Sequence, residues 1–187
     1  KRIDGKSPHE TALQGLVRTF QMARPFAGMS VLDNLLVSPR HQSGEGMWSL
    51  WMKPLKVRAE ERKQKERALE LIEMMGLSRL KEEFAANLSY GQQKLLELGR
   101  ALMADPAMIL LDEPTAGINP TLIQRVIAMV LELRKRGMKF FIIEHNMDVV
   151  IELCEWVFVL DGGRKLAEGR IGDVQKDQRV IEAYLGA

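Results

Sequence analysis

Residues 107–120 constrain the fold of this chain more than any other stretch. Four apolar residues, Met108 to Leu111, run directly into Asp112 and Glu113, which predicts a strand buried on both faces of a parallel sheet. Open α/β sheets bind ligands at the carboxyl ends of their strands. One acid there can hold Mg²⁺ through its oxygens, and the other can orient and deprotonate a water. A simple turn-capping role for Asp112 is the alternative that this motif alone leaves open.

Helical patterns flank a second predicted strand in the same half of the chain. A helix with Ser89 as its cap runs to residue 104, and Asn119-Pro120 begins another that continues to Arg136. The apolar run 139–143 predicts the second strand, which we expect to be buried like the first. Alternating helices and strands of this kind indicate a doubly wound α/β core.

Composition excludes several other classes of protein. The 187 residues are 46% hydrophobic and 28% charged, with a net charge of only +2, which does not favour nucleic-acid binding. The single cysteine, Cys154, cannot form an internal disulfide and is expected to be a small core residue. We find no apolar run long enough for a membrane helix and no leader pattern, and we expect a soluble protein.

Residues 5–7, Gly-Lys-Ser, imitate the end of a phosphate-binding loop, G-x-x-x-x-G-K-S. The first glycine of that motif would fall before residue 1, and Pro8 follows directly. We therefore expect a hairpin turn at Asp4-Gly5 and a short helix beginning at Ser7-Pro8.

The remaining segments predict elements around this core. Residues 16–21 alternate as a strand does and end at Gln21, and Ser30 caps a predicted helix to residue 36. Residues 38–55 are irregular, and 57–75 predict a charged amphipathic helix that ends at Gly76. A hairpin over 156–168 and a terminal helix over 180–185 complete the chain.

Five motifs stand in an order that resembles the nucleotide-binding subunit of ABC transporters, over nearly the whole chain. They are Gln21, residues 88–92, residues 108–113, residues 117–119 and His145. The resemblance implies a P-loop NTPase-like (RecA-like) parallel sheet core with a helical subdomain. Residues 1–21 and 105–187 would form the core, and 22–104 the Q-loop and helical signature subdomain, of one incomplete domain.

The resemblance also implies site residues and cofactors, namely ATP and Mg²⁺. Asp112 matches the magnesium ligand, Glu113 the catalytic base, and His145 the switch histidine that contacts the γ-phosphate. Gln21 matches the Q-loop glutamine, which touches the magnesium or the attacking water and faces the transmembrane partner.

The signature motif of the family supplies the remaining nucleotide contacts. Ser89, Gly91 and Gln92 match it, with Tyr90 where most members carry glycine. Asn119 stands where many members have the aspartate of the D-loop. In the family, two subunits face head to tail, and each signature helix completes the other subunit's ATP site.

Finer motifs, such as Arg18-Thr19-Phe20-Gln21 and Ile143-Glu144-His145, are similar to the ATPase subunits of branched-chain amino acid importers. Urea or amide importers and lipopolysaccharide-exporting ATPases stay open as alternatives. The implied partners are a second ATPase subunit, identical or different, and transmembrane permeases at the cytoplasmic face of the membrane. The resemblance implies no contact with the transported substrate and none with nucleic acid.

Members of the family begin with a strand, a glycine-rich loop carrying a lysine, and a helix, which the 187 residues do not contain. We therefore expect this polypeptide alone to hydrolyse little or no ATP. A non-catalytic partner-binding fragment and a non-transport ABC ATPase, as in DNA repair or translation, are the competing interpretations.

Overall fold

The computed structural model describes residues 3–19, 24–39 and 54–185. Two compact units make up the chain, Lys1–Glu144 and His145–Ala187. The predicted separation of residues 22–104 as a helical subdomain stays a prediction.

A three-stranded parallel sheet forms the centre of the first unit. It consists of β1 (Leu16–Arg18), β2 (Met108–Asp112) and β3 (Lys139–Ile143), in the order β1-β2-β3. Met108 pairs with Leu16 on one side and with Lys139 on the other. The predicted strand 16–21 thus ends at Arg18 as a regular strand, although the Thr19 N–H still donates to the Leu110 carbonyl at 2.9 Å.

Burial distinguishes the two strands that the sequence treats alike. On β2, Ile109 and Leu111 are no more than 1% exposed, whereas Met108 and Leu110 on the other face are half-buried. The predicted central strand is therefore present but fully buried on one face only. On β3, Phe141 and Ile143 are each 45% exposed, so the prediction of a wholly buried strand is wrong there. Within the described ranges β3 pairs with β2 alone, and an edge strand receives less cover than a central one.

Five helices accompany this sheet among the described residues of the first unit. They are α1 (Pro8–Leu13), α2 (Val31–Leu36), α3 (Pro54–Met74), α4 (Tyr90–Met103) and α5 (Pro120–Lys135), with 3₁₀ turns at Ser78–Leu80 and Ala85–Asn87. The predicted starts of α1, α2, α4 and α5 are confirmed, because a side chain caps each of them, whereas α3 begins at Pro54, before the predicted residue 57. The caps are Ser7, Ser30, Ser89 and Asn119.

The beginning of the chain confirms the reading of Gly5-Lys6-Ser7 as a turn followed by a helix. Gly5 has φ 74°, and the Lys6 N–H donates to the Ile3 carbonyl at 3.2 Å. Ser7 and Glu10 form a capping box at the start of α1. Residues 5–7 therefore form a turn and the N-terminal cap of α1.

Helices α2, α3 and α4 share an apolar core. Leu35, Ile72, Met75 and Leu95 are at most 1% exposed in it. Gly99 permits the close approach of α4, since a Cβ at this position would lie 2.9 Å from the Met75 sulfur. Tyr90, the first residue of α4, is exposed, whereas Lys94 and Leu98 line a narrow cleft together with Leu111 and Asp112 of β2.

The second unit is a small α/β element with its own core. Helix α6 (Met147–Leu153) precedes the antiparallel strands β4 (Trp156–Asp161) and β5 (Arg164–Arg170), followed by α7 (Ile171–Val174) and α8 (Gln178–Leu185). Val157, Ala167, Val174 and Val180 form the core, with Cys154 partly buried against it. No helix within the described residues is both long and apolar enough to span a membrane.

Candidate functional site

The two acids predicted as the reactive pair lie at the carboxyl end of β2. Asp112 is the last residue of the strand, and its side chain is 20% exposed. Arg18, at the end of β1, donates from Nη2 to Asp112 Oδ2 at 2.7 Å. Asp112, the predicted magnesium ligand, is therefore paired with an arginine at the carboxyl end of the neighbouring strand.

Glu113 leaves the sheet through an unusual backbone conformation. Its N–H donates to the Ile143 carbonyl at 2.9 Å, which extends the β2–β3 ladder by one residue. Its φ is 46°, in the left-handed region that L-residues other than glycine seldom occupy. Such a conformation costs on the order of 1 kcal/mol and persists only where neighbouring groups enforce it.

The turn after Glu113 is held by the end of β3. The Ala116 N–H donates to the Glu113 carbonyl at 3.2 Å and closes the turn. Thr115, 5% exposed, donates its N–H to Glu144 Oε1 at 3.0 Å, and its hydroxyl donates to the same oxygen. Glu144 therefore fixes the turn that contains Pro114 and Thr115.

A buried lysine holds the same turn from the other side. Lys94 of α4 is 9% exposed, and its Nζ donates to the Glu113 carbonyl at 2.9 Å and to the Ala116 carbonyl at 2.8 Å. Burial lowers the pKa of Lys94, and the charges of Glu144, Glu113 and Glu97 oppose that shift. A narrow cleft that Lys94 shares with Asp112 lies beside the turn.

The N-terminus of α4 lies at the surface, as its predicted role requires. Ser89 is exposed and caps the helix, accepting from the Gln92 N–H at 3.4 Å. Gln92 Oε1 accepts from the Ser89 N–H at 2.8 Å, which completes a capping box. The predicted ligand residue Gln92 thus also stabilises the helix start.

Gly91 allows α4 to approach α5 closely. A Cβ at Gly91 would lie 2.4 Å from Leu122 Cδ1 and 3.1 Å from Ile118 Cγ2. The Tyr90 ring lies close to Gly117, since a Cβ on Gly117 would lie 3.3 Å from that ring. Gly117 itself has φ 72°, so it combines a left-handed conformation with this close contact. The beginning of α4 and residues 117–122 therefore form one packed surface.

The structure describes two of the remaining predicted site residues, Asn119 and His145, but not Gln21. The Asn119 side chain caps α5, accepting from the Leu122 N–H at 2.9 Å, and the residue is exposed. Gln21 lies outside the described residues. His145 is exposed and begins the second unit, directly after Glu144. The roles of these three residues in binding stay predictions.

The donor set at the end of β2 suits Mg²⁺ only in combination with a substrate. Among the described residues there is no group of three or more His, Cys, Asp or Glu side chains that could hold a metal ion. Asp112 supplies hard carboxylate oxygens, and Mg²⁺ characteristically takes one or two carboxylates together with substrate phosphates and waters. The site therefore fits Mg²⁺ that arrives with a phosphorylated ligand.

Sequence reasoning missed Lys94, Thr115 and the pairing partner Arg18. One signal for Lys94 was available: with Gly91 and Leu98 it lies at the i, i+3, i+7 spacing of the buried stripe, where a lysine is unusual. The partner carbonyls could not be inferred, because they are 19 and 22 residues away.

Two family profiles match parts of the chain. A family profile described as "ABC transporter" matches residues 2–116. A second, described as "Branched-chain amino acid ATP-binding cassette transporter", matches residues 164–187.

Individual relatives cover the whole chain. The chain is 40% identical over 190 residues to the probable branched-chain amino acid transport ATP-binding protein LivG of Archaeoglobus fulgidus, spanning all of this chain and 72% of that protein. It is 34% identical to the high-affinity branched-chain amino acid transport ATP-binding protein LivG of Escherichia coli, 73% of which it spans. Among solved structures, the ADP conformation of an ATP-binding cassette of an ABC transporter matches with a TM-score of 0.76 and 38% identity, over the whole chain and 74% of the other.

Proposed function

This chain belongs to the ABC transporter family, and on that premise we propose that it is the ATP-hydrolysing subunit of an importer of branched-chain amino acids. The substrate is proposed from the similarity to LivG proteins and from the C-terminal match over residues 164–187. An ATPase subunit does not itself contact the cargo, so the fold carries no information on the substrate.

Hydrolysis at this site depends on positioned charges. Bound Mg²⁺ would neutralise charge on the β- and γ-phosphates, and Asp112 is the residue that would hold it. Glu113 would accept a proton from the attacking water, and Gln21 would help to orient that water. His145 would contact the γ-phosphate and stabilise the charge that develops there.

The exposed start of α4 would serve the ATP of a second subunit. Ser89 and the backbone N–H groups near Gly91 lie at a helix N-terminus, where the helix dipole and unpaired donors favour phosphate. Gln92, which is half-buried, and Asn119, which is exposed, would complete the contact across the dimer. We propose a dimer of ATPase subunits, bound to transmembrane permeases at the cytoplasmic face of the membrane.

The position of Glu113 is the single observation that carries the proposal. Its backbone is fixed at the end of a buried strand, one residue after Asp112, by hydrogen bonds at both its N–H and its carbonyl. A carboxylate held in this way beside a magnesium ligand suits a general base.

Glu113→Gln in the complete natural protein tests the assignment. The variant keeps the shape of the side chain but cannot accept the proton, so we expect ATP binding to persist while kcat falls by about 100-fold or more. Glu61→Gln, an exposed carboxylate on α3, is the matched control and should hydrolyse ATP at the wild-type rate. Wild-type turnover by Glu113→Gln would remove Glu113 as the base.

The substrate needs a separate experiment in cells. Disruption of the gene should abolish high-affinity uptake of labelled leucine, isoleucine and valine, and a Glu113→Gln copy should fail to restore it. Loss of urea or amide uptake with unchanged leucine uptake would contradict the proposed cargo and leave the ATPase assignment intact.

A further inference from the structure

Lys94 is a buried cation whose hydrogen bonds go to the catalytic turn. It lies in the second turn of α4, is 9% exposed, and donates to the carbonyls of Glu113 and Ala116. Its Nζ also lies 5.4 Å from the centre of the Tyr90 ring. The two hydrogen bonds connect α4 to the turn that begins at Glu113, whereas Tyr90 is the first residue of α4 itself.

A buried lysine at this position lowers the stability of the fold. Burying an ammonium group costs several kcal/mol unless hydrogen bonds and opposite charges compensate for the lost water. An apolar side chain would continue the stripe of Gly91, Leu95 and Leu98 at lower cost. We therefore expect Lys94 to be needed for the conformation of the turn whose carbonyls accept its hydrogen bonds.

That turn contains the one backbone conformation on which the hydrolytic step depends. Glu113 has φ 46°, and its N–H is fixed by the Ile143 carbonyl while its own carbonyl is fixed by Lys94. The Lys94 bond adds to the 3.2 Å bond that the Glu113 carbonyl accepts from the Ala116 N–H. Rotation about the N–Cα bond of Glu113 moves its carbonyl and its Cβ together, so loss of the Lys94 bond would loosen the hold on the direction of the carboxylate.

We propose that Lys94 is a positioning residue for ATP hydrolysis, which holds the backbone of Glu113 in its left-handed conformation and couples it to the helix that begins at Ser89. Its ammonium acts through Glu113, because it donates to backbone carbonyls and is buried from solvent. This inference rests on the proposed ATPase function.

The test compares three variants of the complete natural protein, assembled with its partners. Lys94→Met removes the ammonium and keeps most of the side-chain volume, and Lys94→Arg restores two donors. Gln93→Met is the matched control, since Gln93 also donates from α4 to backbone carbonyls, but to those of Ala85 and Leu88.

We expect Lys94→Met to lower kcat by about 10- to 100-fold, because small displacements of catalytic groups have effects of that size. The KM for ATP should stay within about threefold, since ground-state binding does not use Glu113. Lys94→Arg should recover most of kcat, and Gln93→Met should leave it unchanged. Hydrogen exchange should accelerate over residues 113–116 in Lys94→Met and stay at the wild-type rate there in Gln93→Met.

Equal kcat in Lys94→Met and wild type would overturn the proposal, as would a loss of kcat in Lys94→Arg as large as in Lys94→Met. If Lys94→Met does not fold, Lys94→Gln replaces it, and wild-type kcat in Lys94→Gln would overturn the proposal equally. Absence of ATP hydrolysis by the wild-type protein would instead refute the proposed function, so the two failures are distinguishable.

Discussion

Asn34 gives the sharpest prediction for stability, because its buried side-chain amide holds residues 26–30, directly before α2. Asn34 lies in α2 and is 0% exposed. Its Oδ1 accepts from the Phe26 N–H at 2.8 Å. Its Nδ2 donates to the carbonyls of Phe26 at 3.0 Å, Met29 at 3.3 Å and Ser30 at 2.9 Å. Asn34→Ala removes all four bonds at once.

The size of the effect follows from the partners that remain. The carbonyls keep other donors: Phe26 bonds to the Met29 N–H, Met29 to the Ala85 N–H, and Ser30 to the Asn34 N–H. Only the Phe26 N–H loses its sole partner among the described residues. One orphaned donor costs about 1–3 kcal/mol, and the lost amide bonds and small cavity add about 1 kcal/mol. We therefore expect a destabilisation of about 2–4 kcal/mol.

Two further variants separate the contributions. Asn34→Asp keeps the acceptor for Phe26 but sets a carboxylate oxygen against carbonyl oxygens, so its stability should rise as pH falls and the acid protonates. Asn87→Ala is the control: it removes an exposed amide that donates to Glu83, and should cost less than about 0.5 kcal/mol.

Denaturant unfolding of the complete natural protein measures these differences, and amide exchange reports the Phe26 N–H directly. Exchange at Phe26 should accelerate in Asn34→Ala and stay slow in Asn34→Asp. A cost for Asn34→Ala no greater than for Asn87→Ala would refute the reasoning.

Three other predictions concern packing, a buried hydroxyl and pH. Gly91→Ala should destabilise by about 1–2 kcal/mol, because its Cβ would lie 2.4 Å from a leucine methyl of α5, whereas Gly172→Ala meets open space and should be neutral or stabilising in thermal unfolding. Thr115→Val should cost about 1–2 kcal/mol by removing the hydroxyl that donates to Glu144, and Thr115→Ser should restore it. Hydrogen bonds from Ser7 lower the pKa of Glu10. These bonds therefore stabilise α1 above the pKa of unfolded glutamate, and the stabilisation is lost as pH falls through the lowered pKa. Amide exchange in α1 should accelerate in acid, and Glu10→Gln should abolish that pH dependence.

Local features of the fold could be predicted from the sequence because their causes are local. Ser89 caps its helix as predicted, with Gln92 three residues further on completing a capping box, and Asn119 caps the helix that begins at Pro120. The apolar run before Asp112 forms the central strand. In each case the residues that interact are neighbours, so the pattern contains the whole interaction.

The network around the turn after Glu113 could not be predicted, because its partners are distant in the sequence. Thr115 and Glu144 are 29 residues apart, and Arg18 and Asp112 are 94 residues apart. Motif order placed Asp112 and Glu113 at the carboxyl end of a strand but did not show that Arg18 pairs with the first. The left-handed conformation of Glu113 likewise depends on β3 and α4, which no local pattern reports.

Helix α4 connects its own exposed start, the turn after Glu113 and residues 24–26 through one rigid element. Ser89 lies at its start, Lys94 holds the turn after Glu113 from its second turn, and Arg100 holds the loop after Gln21 from its last turn. The Arg100 guanidinium donates to the Arg24 carbonyl at 3.0 Å and lies 4.5 Å from the centre of the ring of the loop's phenylalanine. A helix of 14 residues is about 20 Å long and bends little. Since both side chains bond to backbone carbonyls, a shift of α4 relative to β2 must either carry the turn and the loop with it or break those bonds.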